Sequence, residues 1–519
     1  MSPNSENPRT RFLSPSEAWE DTLRNLTIPV FLKKGVYRID FDIVIPLGSF
    51  LEIEAGAQLL FNVDCGIIAN GSLRACGSSK NEPVIFTSFS GGEGKRWKNI
   101  SFVGQGASES ILRYCEVSLG TGRLGQEVGL YSDAKYGGGL LIRDCSPNIE
   151  FCRITMNQLR HFHESFSLPC YGGGIYFRNS NSFLRGNIID KNEAAGTGHG
   201  SGGGIQVTSS DLTLLDNEIN DNDAGWCGGG VCLYQSKATI CCNKIQRNRC
   251  SIGAGIYVTN EQPKQEGDPS VVIKHNLVAE NLGNRFCNGR SAGIFLHETN
   301  VLLEENIVEN NSNRGHTGGG IGVNYSYATI IKNTIRGNNC ILGSAIGFGG
   351  GGIAWRSSNG IMDGNTIEHN QCQGANGVVA GHGGGIFILS SKVRMNANSI
   401  RSNKASQGGG VSIILSTLSK EEQEVNLRLY THWTNNTIED NCGGGIEYDG
   451  YSYGPTLEKL NFPRETWELE EIKKIEIPRS GLLSLFFGML KSGQDGKPPK
   501  LMNVVDPHGN MIRNNDGRV

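Results

Sequence analysis

No run of eighteen apolar residues occurs in the 519-residue chain, so a transmembrane helix is not expected. Charge of one sign is missing too: 48 Lys and Arg stand against 51 Asp and Glu, and this balance argues against a nucleic-acid partner. The first eleven residues are polar and lack the apolar core of a secretory leader, which leaves a cytoplasmic location and export by a missing leader both open. A leucine-rich or propeller repeat fits worse, since there is no Leu-rich consensus and no helix-length periodic stretch inside any unit. The fifteen cysteines show no paired zinc-binding spacing and no nearby histidine to complete a set, so no metal and no cofactor are expected. They read as small, stacking, reduced thiols.

What the chain has in excess is glycine, 72 residues of it, arranged with a period. Asn-x-Ile/Val-x-x-Asn recurs nine times, at Asn187/Asn192, Asn217/Asn222, Asn243/Asn248, Asn276/Asn281, Asn306/Asn311, Asn333/Asn338, Asn365/Asn370, Asn398/Asn403 and Asn436/Asn441, each after a glycine cluster. An earlier unit carries Cys152 in place of the first asparagine. In eight of ten units the last glycine lies thirteen residues before that position, as Gly174 does before Asn187. Coils of fixed length that stack account for this. Gly174-Ile175-Tyr176-Phe177-Arg178 reads as a strand, and Leu184 and Ile189 mark two more, with bends at Asn187 and Asn192. Asparagine tolerates left-handed backbone, and its amide both donates and accepts, so columns of asparagine satisfy the bends. Three short strands per turn make an all-β, single-stranded right-handed parallel β-helix in which each coil rises about 4.8 Å.

These repeats, together with Gly35-Val36-Tyr37-Arg38-Ile39 and the stretch Leu51 to Phe61, resemble the parallel β-helix repeat proteins of the pectate-lyase-like superfamily over residues 28–450. The resemblance implies a solenoid fold and admits lyases, hydrolases, epimerases, adhesins and inert scaffolds. Residues 1–27 are expected to form a tail and a short capping helix, since Ser14-Pro15-Ser16-Glu17 has the form of a capping box ahead of Trp19, Leu23 and Leu26. Residues 451–519 leave the repeat and are expected to form a C-terminal cap and tail, with Leu482 to Leu490 as the cap segment.

Along the strand after each glycine cluster the first and third residues point inward and the second and fourth outward. The second row holds Tyr176, Tyr257 and Phe295, and the fourth holds Arg178, Tyr234, Thr259 and His297. The segment between the second asparagine and the next glycine cluster varies in length and falls to five residues at 223–227 and four at 249–252. Short loops there predict a valley floored by Tyr234, Tyr257 and Thr259, edged by Trp226, and flanked by Arg178 and His199 on one side and Arg290, Phe295 and His297 on the other. Aromatic faces beside cations suit an acidic polysaccharide or oligosaccharide, because rings stack on pyranoses and Arg grips carboxylates.

Hydrolysis needs two carboxylates facing one sugar, and on these rows acids occur only at Glu447 and Asp449. Gly198-His199-Gly200 and Gly381-His382-Gly383 resemble the Gly-His-Gly motif of polygalacturonase-type hydrolases, without its companion motifs. Asp506-Pro507-His508 is similar to a mannuronan epimerase motif but lies outside the coils. Abstraction of the proton beside a uronate carboxylate needs a base and a neutralising cation, which His297 or Tyr234 and Arg178 or Arg290 supply. The expected catalytic residues are therefore His297, Arg178 and Tyr234, with Trp226, Tyr257, Arg290, His199 and Tyr176 binding substrate. The reaction expected is that of a lyase or epimerase, with hydrolysis second. A non-catalytic structural or glycan-binding scaffold is the alternative.

Overall fold

Backbone pairing in the computed structural model is almost entirely parallel, between strands one coil apart in sequence. The structure describes residues 10–89, 95–130, 134–160, 169–195, 200–261, 266–283, 289–342, 349–374, 381–414, 433–443, 446–449, 504–505 and 511–513. They group into two units, residues 1–250 with 254–256, and residues 251–253 with 257–519. Each unit is a run of right-handed parallel β-helix coils.

In the first unit the glycine-led sheet runs Ile43–Ile45, Ile67–Ala69, Ile100–Val103, Leu140–Arg143, Ile175–Arg178, Ile205–Thr208 and Val231–Tyr234. Its register sets Tyr176 against Gln206 and Cys232, and Arg178 against Thr208 and Tyr234. In the second unit the same sheet places Phe295 against Gly322 and Ala354, and His297 against Asn324 and Arg356. The first and third strand positions, such as Ile175, Phe177, Ile294 and Leu296, are fully buried in the lumen. The rows expected from alternation are therefore real columns.

Glycine is required at the start of these strands for two separate reasons. Gly202 has φ +64°, a left-handed conformation that costs other residues about 1 kcal/mol. Gly203 has an ordinary φ, but a Cβ there would lie 2.5 Å from the carbonyl oxygen of Gly229 in the next coil.

The asparagines are fully buried and joined in ladders. Asn187 Nδ2 donates to Asn217 Oδ1 at 3.0 Å and to the Ile149 carbonyl at 3.0 Å, while the Asn187 N–H donates to the same Asn217 Oδ1 at 2.9 Å. Asn192 repeats this with Asn222 and the Ile154 carbonyl. In the second unit two ladders run from Asn276 to Asn436 and from Asn281 to Asn441. Each of these amides thus donates to a protein acceptor, which a buried polar group needs.

Two expectations are corrected here. The left-handed residue at each corner is the one before the asparagine: Gly186, Lys191, Asp216, Asp221, Cys242 and Arg247 all have φ between 53° and 64°. The corner residue turns the chain, which leaves the asparagine side chain directed along the ladder. The coil also holds a fourth short strand after the second asparagine. Gln158–Arg160, Glu193–Ala195, Asp223–Ala224 and Arg249–Cys250 pair in order in the first unit, and Ala224, Cys250 and Ala254 pack beneath them.

At the N-terminal end the capping box is half formed, with the Ser14 N–H donating to Glu17 Oε2 at 3.0 Å. The helix itself is later and shorter than expected, Glu20–Arg24. Trp19, Leu23 and Leu26 are buried, and Trp19 meets Tyr37 edge-on at 5.3 Å between ring centres. Arg11–Leu13, expected as tail, pairs in parallel with Val30–Leu32. Leu482 to Leu490 lie outside the described residues. Met511–Arg513 adds to Thr437–Glu439 as a further parallel strand.

Candidate functional site

Outward-facing residues divide between the two units. Arg178, Tyr234, Tyr176 and Trp226 belong to the first, and Tyr257, Arg290 and His297 to the second. His199 lies outside the described residues, as does the Asp506-Pro507-His508 motif.

In the first unit Arg178 and Tyr234 share one column, separated by Thr208. Two strand spacings put their Cα atoms about 9.6 Å apart. Tyr234 is 40% exposed and Trp226 49% exposed, so both rings reach solvent. Tyr176 differs from the expectation. It points away from the lumen but is only 3% exposed, packed with Val128, Ala134, Tyr136 and Leu141. Its ring centre lies 4.8 Å from that of Tyr136 and 6.4 Å from that of Tyr171. Burial pushes its hydroxyl pKa up, partly offset by a hydrogen bond with Thr208 and the Arg178 charge. Tyr176 therefore supports the floor and does not present a face to a ligand.

The short segments expected to leave a valley are the laddered strands Asp223–Ala224 and Arg249–Cys250. They are short because a fourth parallel strand needs only two residues there, with no room for an excursion.

In the second unit the outer rows build an aromatic line. Tyr257 stacks on Phe295 at 6.0 Å between centres with planes 16° apart, and Phe295 lies 6.3 Å from the His297 ring. Tyr325, 42% exposed, meets His297 edge-on at 6.1 Å. The residue below Phe295 must be Gly322, because a Cβ there would sit 2.7 Å from the Phe295 ring and 2.2 Å from Ser291 Oγ. The glycine seats the ring. Arg290 lies on the short strand Gly289–Arg290 and its charge reaches His297.

His297 is the most constrained polar group in this line. Burial lowers its pKa from 6.5; Glu298 raises it, and Arg290 lowers it further. It is neutral at pH 7. Asn324 Nδ2 lies 2.9 Å from His297 Nδ1. An amide nitrogen can only donate, so Nδ1 accepts and the single proton of the neutral ring sits on Nε2. Glu298 Oε1 lies 3.8 Å from Nε2. The other end of that amide, Asn324 Oδ1, is buried without a partner. The two ends of an amide have the same shape. Turning Asn324 over places Oδ1 on an Nδ1–H and leaves Nε2 with a lone pair. Asn324 thus decides whether His297 offers a donor or a base.

Asn324 and Tyr325 were not among the expected site residues. Their signal was present, since Asn324 follows His297 in the fourth row one coil later, but only side-chain geometry shows the contact. His382 of the second Gly-His-Gly sequence sits 6.2 Å from the ring of Phe387, which lies in the same row as Phe295 but three coils further on. Among the described residues no group of three His, Cys, Asp or Glu is placed to hold a metal ion, and no helix is long and apolar enough to cross a membrane.

With parallel coils, ladders and outer rows all in place, the chain belongs to the right-handed β-helix family: the model described as "Right handed beta helix region" matches residues 131–281 and 270–462, more than half of the chain. In fold it is similar to the periplasmic alginate epimerase AlgG, with 12% identity over 85% of this chain and 80% of that one and a TM-score of 0.30. It is also similar to PfbA, a surface adhesin of Streptococcus pneumoniae, with 13% identity over 72% and 82% and a TM-score of 0.36. The PL6 family alginate lyase AlyGC gives 9% identity over 85% and 80% and a TM-score of 0.19. Likeness at this level assigns no activity. No curated protein matches the chain in sequence.

Proposed function

We propose that this protein binds an acidic polysaccharide on the glycine-led outer face and modifies it by removing the proton beside a uronate carboxylate. The observation that carries the reading is the neutral His297 set in an aromatic line within reach of the Arg290 charge, with the Asn324 amide against its Nδ1. Tyr257, His297 and Tyr325 offer faces for a pyranose, and Arg290 takes the carboxylate. With the Asn324 amide turned, His297 Nε2 accepts the proton. Negative charge then builds on the carboxylate and is neutralised by Arg290. Expulsion of the neighbouring glycosidic oxygen completes elimination, whereas return of a proton to the opposite face completes epimerisation. In the first unit Arg178 takes the neutralising role and Tyr234 the proton-transfer role, with Trp226 as a stacking surface. Hydrolysis comes second because acids occur on the outer rows only at Glu447 and Asp449, in the last coil.

A second reading, a glycan-binding scaffold without turnover, is favoured by the exposed rings of Trp226 and Tyr234 in the first unit. Incubation with a panel of uronate-containing and neutral polysaccharides separates the two. Turnover gives an unsaturated product absorbing in the ultraviolet, or solvent deuterium in recovered polymer; the scaffold gives saturable binding alone. His297→Ala and Arg178→Ala are each expected to lower turnover, and together to abolish it, with thermal unfolding nearly unchanged. Turnover unaltered in both variants removes the assignment.

A further inference from the structure

Neighbouring residues of a strand point to opposite faces, so two consecutive cysteines normally keep their sulfurs apart. Cys241 and Cys242 do not. Cys241 ends the strand Lys237–Cys241, and Cys242 is the left-handed corner residue, with φ +60°. The corner swings the second side chain back beside the first, and the two Sγ atoms lie 3.0 Å apart. Cys242 is exposed and Cys241 partly so. The backbone beneath the pair is held by the asparagine ladder. Asn243 Nδ2 donates to the Cys241 carbonyl at 2.9 Å and to the Leu214 carbonyl at 3.0 Å, and Asn243 Oδ1 accepts from the Asn217 N–H at 2.8 Å. The Cys241 carbonyl also accepts from the Asp216 N–H at 3.2 Å.

The other thiol contacts differ in kind. Cys227 and Cys232, 3.7 Å apart, are buried, and so are Cys115, Cys152, Cys340 and Cys372. A hydrogen bond between the thiols, then burial, pushes Cys227 and Cys340 up; for Cys115 burial comes first. Such thiols stay protonated and inert. The Cys241–Cys242 pair faces solvent and is already gathered.

We propose that Cys241 and Cys242 form a two-sulfur site for a thiophilic trivalent centre of the organoarsenic(III) class, bound by both sulfurs at once. The choice between a bridging atom and a direct disulfide follows from backbone dimensions. Consecutive Cα atoms are held about 3.8 Å apart by a trans peptide, below the usual range of about 4.4–6.8 Å for a disulfide. A bond closed directly between these sulfurs is strained and easily reduced. One atom placed between them enlarges the ring and removes the strain. With an arsine oxide two As–S bonds form while the oxygen leaves as water with the two thiol protons; nothing is oxidised or reduced.

The test uses the intact native protein and phenylarsine oxide, read by native mass spectrometry and by maleimide labelling of the peptide that carries both cysteines. One equivalent is expected to add, protecting both sulfurs. The adduct is expected to be lost in Cys241→Ser and in Cys242→Gly, the latter matching the residue at the same corner one turn earlier but one, Gly186, so that the corner is preserved. It is expected to persist in Cys76→Ser and Cys442→Ser, which alter exposed thiols elsewhere. Absence of an adduct, or an adduct retained in Cys242→Gly with native unfolding behaviour, overturns the site. A Cys241–Cys242 disulfide that survives excess glutathione overturns the strain argument and with it the proposal.

Discussion

The asparagine corners and the glycine-led outer face are built by the same coils, yet one repeats and the other does not. At the corners each coil offers the same amide to the same partners, and the ladder geometry of Asn187 is that of Asn306 or Asn370 within a few tenths of an ångström. On the outer face the fourth row changes at every coil, from Arg178 to Thr208 to Tyr234 in the first unit and from His297 to Asn324 to Arg356 in the second. A buried amide has one satisfactory arrangement, so its position cannot vary. An outward residue on a supported strand is held in place by its neighbours, so its identity is available for chemistry.

The largest effect should come from breaking the repeating element. Asn222 accepts from the Asn192 N–H and Nδ2, both at 3.0 Å, and donates to Asn248 Oδ1 at 3.0 Å and to the Ile189 carbonyl at 2.8 Å. Asn222→Leu strands these buried groups and should cost on the order of 3 kcal/mol or more, read from denaturant unfolding. A loss below about 0.5 kcal/mol would show that the ladder is not what holds the coils. Gly203→Ala should follow at about 2 kcal/mol, because its Cβ meets backbone at 2.5 Å with no side chain able to yield.

Smaller and differently signed is the contribution of His297. Burial holds its folded pKa below 6.5, so as pH falls the unfolded chain takes up the proton first. The stability associated with the neutral ring is complete above about pH 6.5 and declines as pH falls towards the folded value. His297→Gln should flatten that part of the stability-versus-pH curve, and an unchanged slope would place the titration elsewhere. Asn324→Asp supplies an acceptor and a negative charge to Nδ1, so the His297 titration should move upward in NMR. An unmoved titration would break the link between the two residues. The smallest structural effect belongs to Trp226→Ala, a change at an exposed ring, which should alter stability by less than about 0.5 kcal/mol while weakening glycan binding. Equal binding by this variant would leave the first unit without a stacking role.

Much of this was legible in the one-dimensional pattern. The spacing of Gly174 and Asn187, repeated in most coils, specified the length of the segment from glycine corner to asparagine corner, and alternation specified which residues turn outward. The fourth strand escaped notice because Asp223–Ala224 and Arg249–Cys250 are two residues long, too short for any periodicity to register. The burial of Tyr176 escaped because its cover, Val128 and Tyr136, comes from a segment some forty residues earlier whose path no local pattern describes. Asn324 was visible as a member of the fourth row, but a hydrogen bond across one coil depends on rotamers.

By itself the order of amino acids determined that the backbone winds in parallel coils, because only that arrangement satisfies columns of buried amides and glycines packed against carbonyl oxygens. Only the tertiary structure decided which outward residues remain at the surface, which amide faces His297 Nδ1 and which cysteines face each other. Those depend on contacts between side chains whose distance along the chain, 27 residues for His297 and Asn324, is set by an insertion or a loop and carries no signal of its own.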